Sequence, residues 1–161
     1  MKIGVLSDTH IPLAANELPQ KVIDAFRGMD LILHAGDLVE YSVLKLLEKL
    51  AKTEAVCGNM DSLDLRKVLP NKKIIRAGNF SIGLIHGYGP PFNLPSRIRK
   101  EFVEHVDAIV FGHSHSPMNK VMDGILFFNP GSATDKVFAK YNSYGILTLN
   151  DTIKGEVIKI R

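Results

Sequence analysis

The first ten residues, MKIGVLSDTH, place a short apolar run directly before the polar pair Asp8 and His10. The run IGVLS at residues 3–7 is typical of a buried β-strand. Asp8 and His10 are two positions apart, so an extended backbone would project both side chains to the same side. The same order, an apolar run followed by polar donors, recurs along the chain and decides the fold.

Four further apolar runs, DLILHA, EAVC, FSIGLI and DAIVF, end in the same kind of polar motif: Gly36-Asp37, Gly58-Asn59, His86-Gly87 and Gly112-His113-Ser114-His115. An open α/β sheet places its ligands outside the carboxyl ends of its strands. Carboxylate, imidazole and amide groups together are the donors expected of a site for two divalent metals. The sequence therefore predicts that these motifs meet at one metal-binding site.

The bulk composition predicts one globular domain over residues 1–161, because 45% of the residues are hydrophobic. The net charge of +3 permits an anionic substrate without demanding one. A single cysteine excludes an internal disulfide framework and indicates a reducing compartment. No apolar run approaches the ~18 residues of a membrane span, and the first strand begins too early for a signal peptide. We expect a cytoplasmic protein with no membrane partner.

The alternation of strands and helices in the first half predicts parallel pairing through right-handed crossovers. We expect helices near residues 18–27, with Asn16 as a cap, 42–52 and 62–67. The second half predicts hairpins at Gly78-Asn79 and Asp123-Gly124, a helix near 96–106, and an antiparallel pair between 144 and 160. The predicted class is α/β, with two mixed sheets packed as a sandwich and helices outside.

Taken singly, a strand-end aspartate or histidine is most often a turn, cap or core residue. The joint pattern favours a site, because four of the six histidines fall in these motifs. We expect His34, inside an apolar strand, to be a hydrogen-bonded core residue, and His105 to be solvated. Cys57 is expected to be buried and structural. Asp61 is interpreted either as a cap for the following helix or as a support for a ligand.

In this order and spacing the five motifs resemble the signature of the calcineurin-like metallophosphoesterases, and the match extends over nearly the whole chain. The opening SDTH and the segment Asn129-Pro130-Gly131-Ser132 are similar to the compact bacterial and archaeal phosphodiesterases, a branch that includes the small retromer subunit of eukaryotes. The resemblance implies the four-layer fold of that family, two mixed sheets flanked by helices.

The resemblance also implies two divalent ions with Asp37 as the shared ligand. The first ion would be held by Asp8, His10, Asp37 and His115, and the second by Asp37, Asn59, His86 and His113. Manganese is the first expectation, and iron, nickel, cobalt or zinc also suit mixed nitrogen and oxygen donors. A hydroxide bridging the two ions would attack phosphorus in line with the leaving group. A diester is favoured over a monoester.

The chain departs from the family pattern at two positions. Many members carry a histidine, thought to protonate the leaving group, where this chain has Met60, so we assign no catalytic side chain beyond the bridging hydroxide. Many also carry a second histidine where this chain has Tyr88. Tyr88 and Arg97 are candidate substrate-binding residues, although a rigid surface loop explains Tyr88 equally well and a solvated helix face is favoured for Arg97.

The expected partner is a small phosphodiester or nucleotide. Nucleic acid is not expected, because no aromatic and basic stripe accompanies the mild positive charge. The sequence is compatible with a homo-oligomer. The alternative function is a protein-interaction scaffold of the retromer-subunit kind with a residual metal site, although that lineage has lost metal ligands and this chain retains all seven.

Overall fold

The computed structural model describes residues 1–161. Ten strands and four helices follow one another along the chain: β1 (Lys2–Leu6), α1 (Gln20–Phe26), β2 (Leu31–His34), α2 (Tyr41–Leu50), β3 (Thr53–Ala55), α3 (Leu63–Val68), β4 (Lys72–Ala77), β5 (Phe80–Ile85), α4 (Leu94–Arg99), β6 (Ala108–Val110), β7 (Met118–Met122), β8 (Ile125–Asn129), β9 (Ser143–Leu149) and β10 (Ile153–Lys159). The structure contains no candidate membrane-spanning helix.

The strands form two mixed sheets of five strands each, in the orders β10-β9-β1-β2-β3 and β4-β5-β6-β8-β7. Strands β1, β2 and β3 run parallel in the first sheet, and β5, β6 and β8 run parallel in the second. The outer strands complete the sheets through the predicted antiparallel hairpins. The predicted fold class, two mixed sheets with flanking helices, is therefore confirmed.

Three apolar clusters separate the four layers. Alternate residues of the strands, such as Ile3 and Val5 on β1 and Ile82 and Leu84 on β5, fill the space between the sheets. A second cluster joins the outer face of the first sheet to helices α1, α2 and α3. A third joins the outer face of the second sheet to α4. This packing fixes the relative position of the two sets of parallel strands, whose carboxyl ends bear the candidate ligands.

Two predictions of local structure are wrong. Helix α1 begins at Gln20 after Pro19, and Asn16 does not cap it. The helix expected over 96–106 ends at Arg99. Asp107 donates its backbone N–H to the Ser81 carbonyl and accepts from the Ser81 N–H, at 2.8 and 2.7 Å. These bonds pull the chain into an extended path before β6, so a helix cannot continue to residue 106.

Candidate metal centre

The structure brings all seven predicted donors to one edge of the sandwich, where the carboxyl ends of β1, β2, β3, β5 and β6 lie. Two groups of donor atoms lie close enough together to surround a cation: Asp8, His10 and His115 in one group, and Asp8, Asp37 and His86 in the other. Asp8 and Asp37 are almost completely buried. The convergence predicted from the sequence is thus present in the fold.

Asp8 belongs to both groups, and Asp37, a member of the second group, also approaches the first. Its Oδ2 atom is 3.4 Å from Nε2 of His10 and 3.3 Å from Nε2 of His86. Its Oδ1 atom accepts the backbone N–H of Met60 at 2.7 Å, which fixes the plane of the carboxylate. Asp8 also reaches both sides, because its Oδ1 atom is 3.4 Å from Nε2 of His115 and 3.9 Å from Nε2 of His86. This arrangement is compatible with a bridging carboxylate.

Asn59 completes the second group. Its side-chain oxygen lies 3.1 Å from Nε2 of His86 and 3.2 Å from Nδ1 of His113. The rings of His86 and His113 are perpendicular with their centres 5.3 Å apart, and those of His10 and His115 are 5.1 Å apart. The donors therefore form two neighbouring sets with one histidine pair in each.

Each candidate histidine has one ring nitrogen that faces the other donors, here called the inner nitrogen, and one that points away from them, the outer nitrogen. In three of the four histidines the outer nitrogen is hydrogen-bonded to a protein oxygen. Nδ1 of His86 lies 2.7 Å from the Ala35 carbonyl, and Nε2 of His113 lies 2.7 Å from the Gly89 carbonyl. Nδ1 of His115 lies 2.5 Å from the carboxylate of Asp135. Because these oxygens can only accept, the outer nitrogens carry the protons and the inner nitrogens of the neutral rings present lone pairs to the cluster.

The residues present fit metal ions. With the outer nitrogens protonated, the inner nitrogens of His86 and His113 and the oxygen of Asn59 direct lone pairs at one another, which requires a cation or a proton between them. Nε2 of His10 is buried and has no hydrogen-bond partner. A buried nitrogen without a partner is costly, and coordination would satisfy it. Mixed imidazole and carboxylate donors suit first-row divalent ions.

The electrostatics of the protein without ions lead to the same conclusion. Burial opposes the charge of Asp8, yet its contacts with His10 and His115 hold the pKa of that carboxyl below its usual value. Burial likewise opposes the charge of Asp37, and His86 lowers the pKa of the Asp37 carboxyl. Against the effect of burial, Asp8 and Asp135 raise the pKa of His115 to about 9. The two buried carboxylates therefore favour positive charge beside them, which divalent cations would supply.

The backbone at the site is strained. Five of the eight non-glycine residues with positive φ are candidate ligands: Asp8, His10, Asp37, His113 and His115. Each such conformation costs on the order of 1 kcal/mol, and such residues cluster at functional sites. Asp8 and His10 thus reach the cluster through left-handed backbone and not through the extended backbone assumed from their spacing.

Close backbone approach depends on two of the motif glycines. A Cβ atom at Gly112 would overlap the Ser7 hydroxyl, and one at Gly58 would overlap the Asp37 carboxylate. The Ser7 hydroxyl donates to Oδ2 of Asp8 at 2.6 Å, and the His113 N–H donates to the same oxygen at 3.0 Å. A residue with a side chain at Gly58 or Gly112 would therefore collide with a neighbouring segment, so both positions require glycine.

Sequence reasoning missed the contribution of the segment after β8. Asp135 is buried and orients His115, the Ser132 hydroxyl donates to the Asp8 carbonyl, and the Thr134 hydroxyl donates to the Thr9 carbonyl, both at 2.6 Å. The sequence does carry a signal for this segment, because β8 is a further apolar run that ends in a polar motif, Asn129-Pro130-Gly131-Ser132.

Asp61 supports the site and does not cap α3. Its carboxylate accepts the backbone N–H groups of Asp37, Val39 and Gly58 at 2.7–3.1 Å. Ser62 is the residue that caps α3. Of the two interpretations left open for Asp61, the structure supports the one in which it holds the loops that carry ligands.

Tyr88 and Arg97, the candidate substrate-binding residues, contact each other and their own loop. The Tyr88 hydroxyl donates to Glu101 at 2.7 Å, and the Arg97 guanidinium donates to the carbonyls of Tyr88, Pro90 and Phe92. Neither residue lines the cavity of about 550 Å³ above the donors, but Tyr88 lines a neighbouring cavity of about 490 Å³ together with Asn59 and His86. The structure thus gives Arg97 a role in holding the loop 88–92.

The remaining predicted residues lie as follows. Met60 lines the cavity and is half-exposed. His34 is buried, hydrogen-bonded to Thr9 and Gly36 as expected of a core residue, and burial lowers its pKa to about 3. His105 is exposed and pairs with Asp107. Cys57 is a buried free thiol.

A two-sheet sandwich with paired metal-ligand sets at its strand ends defines the class of the metallophosphoesterases. The family model of the calcineurin-like phosphoesterase superfamily domain matches residues 1–152, and this chain belongs to that superfamily. Members of this class are hydrolases that depend on divalent metals.

Named relatives agree with this assignment. A probable metallophosphoesterase of Methanothermobacter thermautotrophicus is 42% identical over 135 residues, which are 83% of this chain and 78% of the relative. A phosphodiesterase of Methanocaldococcus jannaschii is 26% identical over 147 residues, 81% of this chain and 83% of the relative. The crystal structure of Vps29 from Entamoeba histolytica complexed with zinc matches with a TM-score of 0.78 and 26% identity over the whole of both chains.

Proposed function

We propose that this chain is a phosphodiesterase that binds two divalent ions through its seven converging donors and hydrolyses a small phosphodiester. The orientation of the histidines is the observation that carries the proposal. Protein oxygens bind the outer nitrogens of His86, His113 and His115. The inner nitrogens of His86 and His115 therefore face the carboxylates of Asp37 and Asp8, and that of His113 faces the Asn59 oxygen. A cluster of histidines with only structural roles would not need this common orientation.

The two proposed ligand sets share Asp37. One set comprises Asp8, His10, Asp37 and His115, and the other comprises Asp37, Asn59, His86 and His113. Two divalent ions would lower the pKa of a water molecule between them and neutralise charge on phosphoryl oxygens. Manganese is the first ion to test, and iron, nickel, cobalt and zinc fit the same donors.

The side chains above the donors determine how the leaving group departs. Met60 lines the cavity and has no proton to donate. Asp135 is engaged by His115 and by backbone N–H groups and is therefore a hydrogen-bond acceptor here. Since neither residue can act as a general acid, we expect esters with acidic leaving groups to be hydrolysed faster than alkyl esters.

The test is a metal titration combined with an assay. Protein stripped with a chelator should bind two Mn²⁺ per chain and then hydrolyse bis(p-nitrophenyl) phosphate faster than p-nitrophenyl phosphate. Asp37→Ala should lose both ions and all turnover, because it removes the shared ligand. Asp24→Ala, a change at an exposed carboxylate of α1, serves as the control and should retain two ions. Unchanged metal content and rate in Asp37→Ala would refute the bridging role.

One observation favours the alternative of an interaction scaffold: the similarity to Vps29 extends over the whole of both chains. Retention of all seven donors favours the enzyme, because two cations without the Asp37 carboxylate would repel each other. Absence of hydrolysis with every divalent metal tested, in protein shown to contain two ions, would support the scaffold.

A further inference from the structure

The cavity above the metal donors has a polar floor and an apolar wall. Its floor is formed by candidate ligands, including His10, Asp37 and Asn59, and its wall by Leu13, Val137 and Phe138. These three wall side chains are 66%, 79% and 76% exposed. Large apolar side chains grouped beside a site and open to solvent are characteristic of a surface that contacts a ligand.

The wall is held at a fixed distance from the donors. The Asp135 carboxylate, which accepts Nδ1–H of His115, also accepts the backbone N–H groups of Val137, Phe138 and Ala139. The Phe138 ring stands perpendicular to the His115 ring with centres 5.8 Å apart. One buried carboxylate thus connects a proposed metal ligand to the wall, and the apolar surface is in place before substrate arrives.

The charges around the cavity restrict the substrate further. No lysine or arginine lines the cavity. Besides the donors, its polar lining residues are Ser114 and Asp135, and the other lining residues are apolar. On this side of the donors a second phosphate would find no cationic side chain and would face the Asp135 carboxylate, whereas Arg66 and Lys72 line a separate cavity beside Asn59 and His86. A flat apolar group would instead bury surface against Phe138, Val137 and Leu13.

We propose that the site is selective for phosphoesters that carry one aromatic ester group, which lies against Phe138, Val137 and Leu13 while the phosphate lies over the donors. The assignment rests on the proposed function, since it names the substrate class of the same site. Phe138 is then the residue that determines specificity for the organic part of the substrate.

The proposal is tested with two inhibitors that differ only in the organic group, phenylphosphonate and methylphosphonate, competing against bis(p-nitrophenyl) phosphate. The parent protein should bind phenylphosphonate about tenfold or more tightly than methylphosphonate. Phe138→Ser should reduce that ratio by roughly fivefold, with little change for methylphosphonate. Val103→Ser is the matched control, because Val103 is 95% exposed and lies outside the cavity. An equal ratio in the parent protein and in Phe138→Ser would overturn the proposal.

A second measurement does not depend on turnover. In zinc-loaded protein, phenylphosphonate should shift the NMR signals of the Leu13 and Val137 methyl groups through the ring current, and methylphosphonate should not. Shifts confined to the donor histidines would place the aromatic group elsewhere and refute the assignment. Absence of hydrolysis together with these methyl shifts would count against the proposed enzyme and leave the aromatic subsite supported, so the two failures are distinguishable.

Discussion

Replacing Asp61 by asparagine is the sharpest test of how the metal centre is held. The Asp61 carboxylate is 4% exposed and accepts three backbone N–H groups, from Asp37, Val39 and Gly58. Asp61→Asn keeps the shape of the side chain and replaces one acceptor oxygen by an NH₂ donor. At least one backbone N–H then faces another donor, and the remaining bonds lose their charge.

The expected cost follows from these three bonds. A hydrogen bond to a charged acceptor contributes about 1.5–3 kcal/mol, and one to a neutral acceptor contributes about 1 kcal/mol. Asp61→Asn loses one of these bonds and weakens the other two, while the neutral amide is easier to bury than the carboxylate. Together these effects should lower the free energy of unfolding by about 3 kcal/mol. With a urea dependence of about 1.5 kcal/mol per molar, the unfolding midpoint should fall by about 2 M.

The assay is urea unfolding of metal-free protein, followed by metal titration of the folded variant. Asp64→Asn makes the same chemical change three residues away, at an exposed side chain paired only with Lys67. Its stability should stay within about 0.5 kcal/mol of the parent value. Since Asp61 holds the backbone of Asp37 and Gly58, Asp61→Asn should also lower metal affinity by about 10–100-fold. Equal unfolding midpoints for the two variants would refute this account of the site.

Two further predictions concern Asp107 and Met60. The backbone N–H of Ser81 lowers the pKa of the Asp107 carboxyl in the folded protein, so its stabilising contribution is complete well above pH 3.8 and is lost as pH falls through the lower folded-state pKa. The difference in unfolding free energy between the parent protein and Asp107→Asn should therefore be larger at pH 6 than at pH 3. The same difference at both pH values would contradict this role of Asp107. Met60→His should accelerate hydrolysis of diesters with alkyl leaving groups by about tenfold or more and change p-nitrophenyl diesters less, because only poor leaving groups need a proton donor. Equal acceleration of both would show that a missing acid is not limiting.

The sequence was sufficient to predict that the candidate donors lie together, because each lies within a few residues of the strand that positions it. Asp37 follows β2, Asn59 follows β3, and His86 follows β5, so local pattern and parallel pairing together place them at one edge. The hairpins were predicted for a similar reason, since Gly78-Asn79 and Asp123-Gly124 mark their turns locally.

The parts that could not be predicted depend on contacts between distant segments. The helix expected to reach residue 106 stops at Arg99 because Asp107 pairs with Ser81, more than twenty residues earlier. Asp135 lies twenty residues from His115, and the motif at residues 129–132 marks the end of β8 but does not reveal this contact. Side-chain pattern likewise does not reveal the positive φ of Asp8, which is set by the segments packed around it.

The supporting residues explain why the donors alone do not define the site. Left-handed backbone at five candidate ligands persists only if the surroundings favour it more strongly than the strain disfavours it. Asp61 holds the N–H of Asp37, Ser132 holds the carbonyl of Asp8, and Asp135 holds the ring of His115. Each support comes from a chain segment other than that of the ligand it holds, so the donor geometry depends on the packing of both sheets. A change at any of the three should therefore alter metal binding without touching a donor.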